Sequence, residues 1–128
     1  MKALIVDDVE MNRELLVFFL EGQAAVVCAE SGEEALKLVE DALKTDAYFD
    51  LICMDIFMPG MDGHETLKRI REMEAERGGV RATVFMVTGS SSPDDMFDAL
   101  TQGGCDDYLT KPLMQQNFSE LLTKHGLC

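Results

Sequence analysis

The sequence predicts a single α/β domain in which helices cover a five-stranded parallel sheet. Three observations carry this. Five short apolar segments recur along the 128 residues, at 3–6, 24–29, 51–54, 83–87 and around 108–109. Four of them are apolar without alternation, the pattern of strands covered on both faces. Segments with helical spacing separate them, and strand–helix alternation repeated five times builds a parallel sheet.

Taken in order, the first strand begins almost at once, after Met1-Lys2. The helix behind it takes Met11, Leu15, Phe18 and Phe19 as its apolar set. Ser31 and Glu34 make a capping-box pattern ahead of a second helix carrying Ala35, Leu38, Val39, Ala42 and Leu43. Leu67, Ile70 and Met73 mark a third. Ser92, Pro93 and Asp95 supply a cap, a first-turn proline and an acid for a fourth, with Met96, Ala99 and Leu100 as its apolar residues. Gly103-Gly104 ends that helix, and Phe118, Leu121 and Leu122 mark a fifth. No linker or repeat interrupts the series, so one domain over residues 1–128, with no output domain after it, is expected.

Composition excludes several classes. Lys and Arg number 11 against 24 Asp and Glu, a net charge of −13. Direct nucleic-acid binding rests on clustered basic residues and is not expected, nor is attraction to an anionic membrane. No apolar run approaches the roughly 18 residues of a membrane span, and the start lacks the pattern of a signal peptide. The expected location is cytoplasmic. Cys28, Cys53 and Cys105 read as small core residues in a reducing compartment, since none forms a CxxC pair. Asp106-Asp107 reads as a turn before the fifth strand, and Glu72, Glu74 and Glu76 as a solvated helix face.

The chemistry lies at the strand ends. Asp7-Asp8 follow the first strand, Asp55 the third, Thr88 the fourth and Lys111-Pro112 the fifth. In an open α/β sheet those ends share one edge, where ligands bind. Two carboxylates about 4 Å apart repel by roughly 4 kcal/mol at an effective dielectric of about 20. Three together raise one another's pKa or recruit a cation. With oxygen ligands only, Mg²⁺ suits such a site, the more so beside a phosphate-type partner. Lys111 is then a point charge for a phosphoryl oxygen, Thr88 a neutral donor to the same group, and Asp55 the candidate nucleophile.

Asp7-Asp8, Asp55 with Met58-Pro59-Gly60-Met61-Asp62-Gly63, Thr88, and Tyr108-Leu109-Thr110-Lys111-Pro112 together resemble the receiver domain of bacterial two-component response regulators, of the single-domain chemotaxis type. The resemblance implies a doubly wound, flavodoxin-like sheet in the order 2-1-3-4-5 flanked by five helices. It implies that Asp55 accepts a phosphoryl group from a sensor histidine kinase, a phosphotransfer protein or a small phosphodonor. Asp8, Asp55 and the backbone carbonyl of Phe57 would bind Mg²⁺ directly, with Asp7 acting through a water. It implies a cis Lys111–Pro112 peptide. Thr88 and Tyr108 would form a switch through which phosphorylation alters the face built from the fourth helix, fifth strand and fifth helix, toward a downstream target protein. Phe57 is large and apolar where relatives often carry a polar or smaller group, and is expected to shield the acyl phosphate from water.

The expected function is therefore a stand-alone receiver, a signalling module that catalyses its own phosphorylation and dephosphorylation rather than an enzyme. Alternatives are a receiver fragment of a larger regulator or hybrid kinase, and a small Mg²⁺-dependent phosphohydrolase of the haloacid dehalogenase type. The latter wants an acid two residues after the nucleophile, where Phe57 stands. A flavodoxin-like FMN carrier is disfavoured because Asp7-Asp8 would repel a phosphate.

Overall fold

The computed structural model describes residues 1–78, 80–89 and 104–127. Five parallel strands form one sheet in the order β2-β1-β3-β4-β5. They are β1 (Lys2–Val6), β2 (Ala25–Ala29), β3 (Leu51–Asp55), β4 (Thr83–Thr88) and β5 (Asp107–Thr110). The described helices are α1 (Glu10–Phe19), α2 (Gly32–Lys44), α3 (Gly63–Glu76) and α4 (Gln115–Lys124). The helix expected around Met96, Ala99 and Leu100, with its Ser92-Pro93 start, lies outside the described residues. No described helix is long and apolar enough to cross a membrane.

Side chains alternate across a strand, so one apolar run supplies two cores. Leu4, Val6, Ile52, Met54, Val84 and Met86 face α2 and α3. Ala3, Ile5, Leu51, Cys53, Phe85 and Val87 face α1 and α4. Buried Phe85 meets Phe118 of α4 edge-to-face, ring centroids 6.3 Å apart, an arrangement worth about 1 kcal/mol beyond its area. This two-sided wrapping is why the strands read as continuously apolar.

Several local expectations change. In α1 the buried residues are Leu16 and Phe19, with Leu20 just beyond, while Met11 and Phe18 stand in solvent. The helix is rotated from the face that spacing alone suggested, because apolar residues lie on more than one side of it. Ser31 caps α2 through its hydroxyl, which accepts from the Glu34 N–H, but Glu34 reaches the N–H of Glu30 rather than closing the box on Ser31. Cys53 and Cys105 are buried and Cys28 is only partly so.

The acids expected on a solvated helix face or in a turn differ most. Glu74 is buried and accepts from the Ala82 N–H at 2.7 Å and from Arg71 at 2.7 Å. Asp106 accepts from Arg71, Arg81 and the Val84 N–H. Asp107 opens β5 and is held by Lys124 at 2.9 Å and His125 at 3.0 Å. Those hydrogen bonds, set against burial, hold its carboxyl below the ordinary range. These acids clamp α3 and α4 to the base of β4 and β5, opposite the candidate site.

Candidate functional site

Strand register builds the site. Val6 lies level with Met54, so Asp7 and Asp55 come one rung later on adjacent strands, about 4.8 Å apart in strand spacing. Asp55 lies level with Val87, and Thr88 with Thr110, so Thr88 and Lys111 complete the same rim. All the predicted strand-end residues therefore meet at one sheet edge. The Asp7, Asp8 and Asp55 carboxylates each offer an oxygen within 4.8 Å of the others. Asp7 and Asp55 are buried, and Asp8 is open to solvent.

Four local features shape this rim. Asp62 caps α3 by accepting from the Glu65 N–H at 2.9 Å. Gly63 packs α3 directly on the end of β3: a Cβ there would lie 2.3 Å from the Asp55 carbonyl oxygen. Gly60 has φ of +78°, the left-handed region that glycine adopts without penalty. The Lys111–Pro112 peptide is cis.

The electrostatics are uncomfortable without a cation. Asp7 Oδ1 accepts from the Val9 N–H at 2.9 Å, but its Oδ2 is buried and receives no hydrogen bond. Asp55 Oδ1 is likewise buried without a hydrogen bond, and Lys111 Nζ lies 3.5 Å from it as an ion-pair partner. Burial, then the neighbouring Asp7 charge, push the Asp55 carboxyl up to about 6, against the opposing pull of Lys111. Buried charges of one sign need a counter-charge. Two orphaned carboxylate oxygens and a third exposed carboxylate form an all-oxygen set that fits a hard divalent cation such as Mg²⁺.

The remaining predicted residues flank this cage. Phe57 is 67% exposed at its rim. Thr88 is buried, and Tyr108 is half-buried one diagonal away on the same face of the sheet. One contact was not anticipated. Arg13 donates to the Asp7 carbonyl at 2.9 Å. An isolated arginine in an acidic helix carries no spacing signal that would have singled it out.

The response regulator receiver domain family matches residues 3–123 of the chain. The chain belongs to that family. Receiver domains are signalling modules, and several similar ones sit in larger proteins. The chain is 37% identical over 124 residues to the sensor histidine kinase GacS of Pseudomonas protegens, covering 96% of this chain and 13% of GacS. It is 38% identical over 129 residues to the two-component response regulator ORR41 of Oryza sativa subsp. japonica, covering 98% of this chain and 94% of ORR41. The receiver therefore spans a small part of the first relative and nearly all of the second. Among solved structures, the receiver domain of the Arabidopsis thaliana histidine kinase CKI1 complexed with Mg²⁺ superposes with a TM-score of 0.84. That pair is 30% identical, over 97% of this chain and 90% of CKI1's. Vibrio cholerae chemotaxis protein CheY4 superposes with a TM-score of 0.79 at 28% identity, over 96% of each chain.

Proposed function

We propose that this receiver accepts a phosphoryl group on Asp55 from a phosphohistidine of a sensor kinase or phosphotransfer protein. The observation that carries the reading is the pair of buried carboxylate oxygens on Asp7 and Asp55 that receive no hydrogen bond, the Asp55 oxygen lying 3.5 Å from Lys111 Nζ. Asp7, Asp8, Asp55 and the Phe57 backbone carbonyl would hold Mg²⁺. When bound there, Mg²⁺ would supply positive charge against the phosphoryl oxygens of an anionic donor.

The residues of the chain then divide the work. An Asp55 carboxylate oxygen attacks phosphorus, the donor's N–P bond breaks, and the departing imidazole retains the electron pair and takes up a proton. Lys111 Nζ pairs with a phosphoryl oxygen, and the Thr88 hydroxyl donates to another. Exposed apolar side chains ring the cage at Val9, Met11, Phe57 and Met114, a surface suited to a protein donor. Phe57 closes over the acyl phosphate and slows its hydrolysis. Thr88, drawn toward the phosphoryl group, vacates space for Tyr108 and changes the face of β5 and α4 presented to a downstream target.

The module works as a cytoplasmic receiver of the stand-alone response-regulator kind. ORR41, nearly all of which this chain covers, supports that arrangement. A second reading, the receiver unit of a hybrid kinase, is favoured by the likeness to GacS. Incubation with acetyl phosphate and Mg²⁺, followed by intact-mass measurement, is the test. One phosphoryl increment on the wild type and none on Asp55→Asn is expected; an unmodified wild type, or an equally modified variant, refutes the reading.

A further inference from the structure

The end of β1 is gripped on one side and free on the other. Asp7 donates its N–H to the Ala29 carbonyl at 3.1 Å. Its carbonyl accepts from Arg13 Nη1 at 2.9 Å, and its Oδ1 from the Val9 N–H at 2.9 Å. Only Oδ2 is left, buried and without a hydrogen bond, on a carboxylate that belongs to the cluster with Asp8 and Asp55. Asp8, by contrast, is exposed, and among the described residues no hydrogen bond holds its carboxylate, so its direction comes from its backbone.

The Asp7–Asp8 peptide is a rigid plane. Whatever holds the Asp7 carbonyl therefore sets where the Asp8 Cα, and the carboxylate it carries, can lie. Arg13 does the holding, with its side chain only 14% exposed in the first turn of α1. Its second nitrogen, Nη2, is tied to Glu30 Oε1 at 3.3 Å, just past the end of β2. The guanidinium fork can satisfy both acceptors at once, as a lysine ammonium on a single stem does not.

We propose that Arg13 is a positioning residue for cation binding, orienting Asp8 through the Asp7–Asp8 peptide, with Glu30 bracing its guanidinium. The inference rests on the reading that the three carboxylates hold Mg²⁺. Geometry and charge pull in opposite directions here. A positive group beside the cage repels a cation, so an Arg13 that acted through its field alone would weaken binding, and its removal would tighten it. Support of a ligand from behind has the reverse sign, and losing it typically costs 10–100-fold in metal affinity.

Calorimetric titration of the metal-free full chain with MgCl₂ and CaCl₂ separates these. Arg13→Gln is expected to weaken Mg²⁺ binding about tenfold and Ca²⁺ binding much less, because Ca²⁺ accepts irregular ligand geometry and Mg²⁺ does not. Arg13→Lys keeps the charge but is expected to fall nearly as far. Glu30→Gln, a surface change that leaves Arg13 in place, should weaken Mg²⁺ about two- to threefold, and should add nothing in an Arg13→Gln background. This last pair keeps the question decidable if an Arg13 variant folds poorly. Unchanged or tighter Mg²⁺ binding in Arg13→Gln, wild-type behaviour of Arg13→Lys, or equal losses for both ions overturns the proposal. A wild type that binds no Mg²⁺ overturns the underlying reading as well, whereas wild-type binding matched by the variants sinks only the role of Arg13.

Discussion

Burial and the Asp7 charge raise the Asp55 carboxyl from 3.8 to about 6 in the metal-free protein. Between those values the folded chain keeps a proton that the unfolded chain has released. Stability therefore falls as pH rises through that window and stays lower above it. A displacement of this size is worth of order 3 kcal/mol. Urea unfolding in EDTA at pH 4.5 and 7.5 should show that loss in wild type and a much smaller one in Asp55→Asn, which should be the more stable protein at pH 7.5. Parallel pH dependences would contradict the assignment. Adding Mg²⁺ at pH 7.5 should restore stability to wild type, by about 2.7 kcal/mol at a hundredfold excess over Kd, and Asp8→Asn should lose most of that gain. At Phe57, replacement by Asn should speed dephosphorylation after acetyl phosphate is removed; an unchanged rate would dismiss its shielding role.

At the scale of elements, the β3–α3 junction is where backbone and site are least separable. A Cβ on Gly63 would sit 2.3 Å from the Asp55 carbonyl, so Gly63→Ala must push α3 away from β3. A cost of about 1–3 kcal/mol is expected, together with weakened Mg²⁺ binding, read from denaturant midpoints and titration. Glu74 offers a contrasting case. Glu74→Ala strands the Ala82 N–H and removes one partner of Arg71, and should cost about 2 kcal/mol while leaving Mg²⁺ affinity unchanged. The strands were legible because covering on both faces leaves continuous apolar runs. The strand-end acids were legible because polar residues interrupt those runs at equivalent points. Glu74, Asp106 and Asp107 were not, because an acid in solvent and one buried against Arg71 or His125 look alike in a sequence.

For the whole molecule, two cores on either side of one sheet leave the candidate rim and the face of β5 and α4 connected by β4 and β5. Thr88 ends β4, and Tyr108 lies diagonally from it on the adjoining strand. A coupling of about 1–3 kcal/mol between them is enough for a useful signal. Hydrogen exchange of residues 107–110 should change when acetyl phosphate and Mg²⁺ are added to wild type. Thr88→Ala should still be phosphorylated, by intact mass, yet show a much smaller change in exchange. An identical response in the variant would remove Thr88 from the proposed relay.

By itself the sequence determined the parallel sheet, the gathering of Asp7, Asp8, Asp55, Thr88 and Lys111 at strand ends, and the kinship those residues announce. These follow from periodicity and from position along the chain, which a linear string records. Only the tertiary structure decided which face of α1 is buried, which acids are clamped by Arg71, Lys124 and His125, and that Arg13 grips the Asp7 carbonyl. Those depend on how elements distant in sequence rotate against one another, and many side-chain patterns are compatible with more than one such rotation until packing selects it.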